Sequence, residues 1–220
     1  MRKLSLPPLI DFYDRKITQS EGHASAINAV MGEDLAIALL KDYFSRKQNV
    51  ARLLTRKCTQ KTKRGKRLDA WVEIEDSDGI FQYQTEIKNW SAHAIGGKTS
   101  PAQETEDSMR AYRINRWNNQ FNAETMTLKE EAARKVLVPM VPESTSWKVR
   151  PLIIFWDSMH PNGEETAYFQ TSVRSESFQS LWVFSMSTHV RTLIKAGVAR
   201  LEVEMEETER RLSWLDRFLT

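Results

Sequence analysis

Between Arg67 and Trp90 the chain runs R-L-D-A-W-V-E-I-E-D-S-D-G-I-F-Q-Y-Q-T-E-I-K-N-W, two alternating stretches around a turn signal. Leu68, Ala70, Val72 and Ile74 alternate with Asp69, Trp71, Glu73 and Glu75. After Asp76-Ser77-Asp78-Gly79, Tyr83, Thr85 and Ile87 alternate with Gln82, Gln84, Glu86 and Lys88. Period-two alternation on both sides of a turn predicts a β-hairpin.

Residues two apart on a strand share a face, so Glu86 and Lys88 point one way and Ile87 the other, toward the core. With residues 76–79 as the loop, Glu75 pairs with Ile80 and Asp69 falls opposite Glu86. A two-residue Asp78-Gly79 turn shifts the pairing by two and keeps both acids on one face; a three-residue loop separates them. Opposed carboxylates with Cβ atoms ~4.5–5.5 Å apart repel each other unless a cation sits between them. Two carboxylates suit Mg²⁺ or Mn²⁺, which complete their shells with water and substrate phosphate oxygens. Such a metal acidifies water and stabilises charge on phosphate oxygens, while an ammonium such as Lys88 orients the nucleophile or neutralises the pentavalent centre. The competing reading is an amphipathic strand pair whose polar face is solvated.

The order helix with Glu, strand, strand beginning with Asp, hairpin, strand ending in Glu-x-Lys resembles the core of the PD-(D/E)xK nuclease superfamily, the fold of many restriction endonucleases and junction resolvases. The resemblance covers about residues 20–160 as a pattern of elements. It implies that Asp69, Glu86 and the backbone carbonyl of Ile87 hold the metal and that Lys88 serves catalysis. It also implies a helical Glu, for which Glu33 in G-E-D-L-A-I-A-L-L-K-D-Y-F is the match. Leu68 stands where the family usually has proline. Glu33 beside Gly32 also fits a cap at the start of a second helix.

At 220 residues and 40% hydrophobic content the chain can bury a core as one domain. Net charge is only +3, so any basic surface must be local. The basic run containing Lys61, Lys63, Arg64, Lys66 and Arg67 leads directly into the acidic hairpin. That placement suits a phosphodiester backbone, although a solvated turn has the same composition. The single cysteine, Cys58, excludes an intramolecular disulfide and suits a reducing cytoplasm. No apolar run approaches the ~20 residues of a membrane span, and no signal peptide is evident.

Residues 1–19 suggest an extended arm or short helix, and residues 24–44 a core helix interrupted at Gly32. Residues 50–58 suggest a first strand. Ser91 to Pro101, with His93 and Gly96-Gly97-Lys98, has a loop composition without a complete phosphate-loop pattern. Residues 102–137 suggest helix, where Arg110, Arg113 and Arg116 form a stripe that could follow a phosphate backbone or simply offset nearby acids. Leu152 to Asp157 predicts a buried strand, with further strands at Tyr168–Gln170 and Leu181–Phe184 and a turn at Asn162-Gly163. From Thr188 onward the pattern suggests helix, with an apolar stripe of Leu201, Met205, Leu212, Leu215 and Phe218 that closes the core or forms a dimer contact.

These readings predict a single α/β domain: a mixed central sheet flanked by helices, a restriction-endonuclease-like αβββαβ core and a C-terminal helical elaboration. The expected function is Mg²⁺- or Mn²⁺-dependent hydrolysis of DNA phosphodiesters in the cytoplasm, with Asp69, Glu86, Lys88 and Glu33 at the site. Lys61, Lys63, Arg64, Lys66, Arg67, Arg110 and Arg113 are the expected nucleic-acid contacts. A non-catalytic nucleic-acid-binding or scaffold protein and an RNA-directed nuclease are the alternatives; a homodimer or partner subunit stays open.

Overall fold

The computed structural model describes residues 1–13, 21–54, 68–88, 105–129, 131–140, 148–160 and 162–219. Cys58, the basic run from Lys61 to Arg67, His93 and Gly96-Gly97-Lys98 lie outside the described residues. Strand β1 (Arg2–Ser5) leads into helices α1 (Leu6–Tyr13) and α2 (Glu21–Arg46). Strands β2 (Val50–Leu53), β3 (Ala70–Asp76) and β4 (Gly79–Lys88) follow, then helix α3 (Glu106–Gln120). A small hairpin, β5 (Phe121–Asn122) and β6 (Thr127–Leu128), precedes the short helix α4 (Glu131–Arg134) and a 3-10 turn at Lys135–Leu137. The chain then forms β7 (Val149–Phe155), β8 (Tyr168–Ser172), β9 (Ser180–Ser185), α5 (Met186–Lys195), β10 (Arg200–Val203) and α6 (Glu206–Phe218).

The fold is mixed α/β, built on a six-stranded central sheet in the order β2-β3-β4-β7-β9-β8. Its middle strands β4, β7 and β9 run parallel, and β2, β3 and β8 add antiparallel edges. In the hairpin Glu75 pairs with Ile80 and Asp76 with Gly79, leaving Ser77-Asp78 at the tip. Asp76 Oδ1 accepts the Asp78 N–H at 2.9 Å, and Gly79 takes φ 123°, a conformation that L side chains rarely adopt. This tip keeps the register that puts Asp69 opposite Glu86, one step beyond the Ala70–Thr85 pair.

Both faces of the sheet are covered. Ala70, Val72, Ile74, Tyr83, Ile87, Ile154 and Phe184 share a core with buried residues of α1, α2 and α5. On the opposite face Trp71, Ile153, Phe155, Leu181 and Val183 meet Trp117, Phe121, Leu128 and Val136. Trp117 stacks on Phe121 with centroids 5.1 Å apart and meets Phe155 and Phe169 edge-on. On the polar face of the hairpin Gln82, Gln84, Glu86 and Lys88 are buried, Asp69 and Glu73 are half-buried and Glu75 is exposed; Leu68, which precedes the strand, joins the second core rather than the first.

Helix α2 continues through Gly32. The ~1 kcal/mol helical cost of a glycine is outweighed by burial of Leu35, Leu39, Leu40 and Phe44 along its core face. The helical expectation for 102–137 holds for α3 and, more briefly, for α4 and the 3-10 turn, and the chain reverses through the β5–β6 hairpin between them. The helical tail is likewise interrupted. Leu201 and Val203, alternating with Arg200 and Glu202, form β10 and pair with β1, so residues 2–5 hold residues 200–203. Leu201 and Met205 are buried, whereas Leu215 at 44% and Phe218 at 75% exposure leave the outer part of the stripe facing outward. Among the described residues no helix is long and apolar enough to cross a membrane.

Candidate functional site

The parallel strands β4 and β7 end together: Lys88 lies beside Phe155, and the Trp156 N–H donates to the Lys88 carbonyl at 3.2 Å. On the other side of β4 the partner strand β3 has not yet begun, so the end of β4 lacks a ladder neighbour there. Asp69 fills that position, and its Oδ2 accepts the Ile87 N–H at 2.7 Å. The N–H and C=O of one strand residue point to the same side, so the Ile87 carbonyl also faces Asp69.

Asp69, Glu86 and Lys88 thus meet at one end of the sheet on the second face. Glu86 is 1% exposed and Lys88 8%. Glu86 Oε1 lies 2.8 Å from Lys88 Nζ. A fourth member, Lys135 on the 3-10 turn, places Nζ 2.7 Å from Glu86 Oε2 and 3.8 Å from Asp69 Oδ1. Burial and the charge of Asp69 together push the Glu86 carboxyl up to about 7, against the opposing pull of Lys135 and Lys88. A buried carboxyl with a strongly displaced pKa beside a second acid is a functional-site signature.

Glu33 sits on the exposed side of α2, and its carboxyl is raised first by partial burial and next by the charge of Asp69, with Arg211 opposing. Arg211 is held by Ala29 and Val30 carbonyls, 2.7 and 2.9 Å away, and Asp34 Oδ2 accepts the Thr208 N–H at the start of α6.

The arginine stripe of α3 divides. Arg113 is 4% exposed, with Nε 2.9 Å from Asp157 Oδ1 and Nη2 donating to the Thr188 hydroxyl. Ser187 donates to the same Asp157 oxygen at 2.7 Å. This guanidinium ties α3 to the ends of β7 and β9 and does not reach a phosphate backbone, because a charge at that depth requires a buried partner. Arg110 is exposed and donates through Nε and Nη2 to the Gly163 carbonyl at 3.1 and 2.8 Å. Gly163, at φ 78°, has no room for a side chain, since an added Cβ would lie 2.3 Å from Arg110 Nη2.

Sequence patterns missed Lys135 because nothing in Lys135-Val136-Leu137 marks a site. Its anchor is Gln84, whose side-chain nitrogen donates to the Val136 and Val138 carbonyls, the latter at 3.0 Å, and whose oxygen accepts the Met140 N–H at 3.3 Å. Gln84 stands two residues before Glu86 on the same face, so the lysine turn is fixed in register with the acid. On the far side of this turn a cavity of about 330 Å³ is lined by Arg134, Leu137, Arg174 and Ser175 among others.

Among the described residues no group of three or more His, Cys, Asp or Glu side chains converges as a metal cage. The donor set that does converge, two carboxylates and one backbone carbonyl, suits a hard divalent cation that keeps several waters. Compared with known proteins, the chain matches no family model, no curated protein and no solved structure.

Proposed function

We propose that this protein is a divalent-cation-dependent nuclease of the PD-(D/E)xK type that hydrolyses DNA phosphodiesters, most simply as an endonuclease. The observation that carries this reading is the placement of Asp69 against Glu86 at the open end of β4, with Lys88 Nζ 2.8 Å from Glu86. The order α2-β2-β3-β4-α3-β7, with β7 parallel to β4, supports it as an αβββαβ run.

Asp69, Glu86 and the Ile87 carbonyl would hold Mg²⁺ or Mn²⁺, which supplies Lewis-acid stabilisation of phosphate charge and acidifies water. Lys88 would orient the attacking water or neutralise charge on the phosphorus oxygens, held beside Phe155 where β4 pairs with β7. Glu33 orients water or completes the acidic set from α2. The basic run Lys61, Lys63, Arg64, Lys66 and Arg67 and the exposed Arg110 supply cations for the DNA backbone; a cytoplasmic location agrees with the one-cysteine sequence.

Cleavage of supercoiled plasmid, linear duplex, single-stranded DNA and RNA with Mg²⁺ or Mn²⁺ tests this reading. Glu86→Ala and Lys88→Ala are each expected to reduce cutting by about 10²–10³-fold while folding persists. A chain that binds these polymers and cuts none favours the second reading, a nucleic-acid-binding or scaffold protein. That reading draws on the neutral balance of Asp69 and Glu86 against Lys88 and Lys135. Cutting of RNA alone moves the substrate class.

A further inference from the structure

We infer that Lys135 is the resident counter-ion of the acidic pair, and that a divalent cation binding Asp69 and Glu86 must displace its ammonium. The inference rests on the reading of these two acids as metal ligands. Lys135 Nζ touches Glu86 Oε2 at 2.7 Å and faces Asp69 Oδ1 at 3.8 Å, so it bridges the two carboxylates. A hard cation shared by the same two acids needs oxygens at ~2.0–2.1 Å for Mg²⁺, and it cannot share that space with an ammonium.

The two lysines of the site differ in how they are held. Lys88 contacts Glu86 Oε1 from a backbone paired with β7 at the end of the strand. Lys135 reaches in from the 3-10 turn and is the lysine that bridges both acids. Gln84 holds the backbone that follows Lys135 against β4, so displacement needs only a swing of the flexible four-carbon side chain and leaves the turn in place. Two ammonium groups face the two acids before any metal arrives. Removing the Lys135 charge leaves the acidic pair with one cation fewer and strengthens its demand for another. Once displaced, the ammonium stays on its tether beside the site, within reach of a substrate phosphate.

The test is Mn²⁺ binding to the full chain, followed by the electron paramagnetic resonance signal of free Mn²⁺, for wild type, Lys135→Met, Lys88→Met and Glu86→Gln. Lys135→Met is expected to bind Mn²⁺ at least about tenfold more tightly than wild type, since a unit charge ~4 Å away at moderate dielectric exceeds that factor. Glu86→Gln is expected to lose binding. Equal or weaker binding by Lys135→Met, with wild type binding, overturns the displacement and leaves the metal reading standing. Absence of binding in every protein, Lys135→Met included, removes the metal reading itself.

A second measurement covers the case in which Lys135→Met does not fold. The rate of Lys135 acylation in wild type, read by peptide mass spectrometry, is expected to rise on saturation with Mg²⁺ as the ammonium leaves the carboxylates. A rate unchanged by saturating Mg²⁺ overturns the inference.

Discussion

Asp69 closes the open end of β4 by accepting the Ile87 N–H at 2.7 Å, so one carboxylate oxygen belongs to the backbone of the Glu-Ile-Lys triplet. The other oxygen faces Lys135 at 3.8 Å. Asp69 is thereby both a structural cap on the strand end and one of the two acids of the site.

This double duty predicts that Asp69→Asn and Asp69→Ala separate the roles. Asparagine keeps an oxygen for the Ile87 N–H, and its melting temperature is expected to stay close to that of wild type. Alanine leaves that amide without its partner, at a cost of about 1–3 kcal/mol in urea unfolding. Both are expected to lose metal-dependent cutting and Mn²⁺ binding. Equal stability of the two variants would show that the Ile87 bond contributes nothing.

The raised carboxyl of Glu86 predicts a pH dependence of stability without added metal. The folded protein keeps a proton that the unfolded chain releases near the ordinary glutamate value of 4.5, and it gives that proton up only near 7. Stability from this group is therefore full below about 4.5 and is lost as pH rises through about 7. The full displacement corresponds to on the order of 3 kcal/mol. Melting temperatures in EDTA are expected to fall between pH 5 and 7.5, and Glu86→Gln is expected to flatten the slope. A wild-type melting temperature that rises across this range contradicts the prediction.

Gln84 predicts a linkage between the second core and the site. Gln84→Met removes its bonds to Val136, Val138 and Met140, leaving buried backbone groups unsatisfied at about 2–3 kcal/mol. Gln84→Glu is expected to cost more, because it turns a donor toward two carbonyls into a charged acceptor. Urea denaturation checks the order of the two variants. A Glu variant more stable than the Met variant would mean that the segment after α4 is held by something else.

Arg113 and Arg110 predict opposite behaviour within one helix. Arg113→Met removes the guanidinium paired with buried Asp157 and is expected to cost about 3–5 kcal/mol. Adding Asp157→Leu to that variant is expected to recover part of the loss, since the uncompensated charge is then gone. Arg110→Ala is expected to change stability by about 1 kcal/mol or less, through its bond to Gly163. Guanidinium unfolding of the three variants decides this. An Arg113→Met cost as small as that of Arg110→Ala would mean that the Asp157 pair is dispensable.

Much of this arrangement was legible in the sequence because its causes are local. Alternation around Asp76-Ser77-Asp78-Gly79 determined the hairpin and put Glu86 and Lys88 on one face with Ile87 on the other, whereas the face of Asp69 depended on the turn length, which the Asp76–Gly79 pair decides. The continuous apolar run before Asp157 marked β7 as a buried strand. What only the tertiary structure decided depends on partners far apart in the chain. The polar residues at the end of β4 are covered because the 3-10 turn at Lys135–Leu137 folds over them, which no period within residues 68–88 encodes. Arg113 is a buried tie rather than a surface cation because Asp157 and Thr188 converge on it from other elements. Leu201 leaves the helical stripe because β1, from the opposite end of the chain, offers it a ladder. Lys135 reaches Glu86 because Gln84 fastens its turn to β4, and a contact made by two segments that meet only on folding leaves no mark on either segment alone.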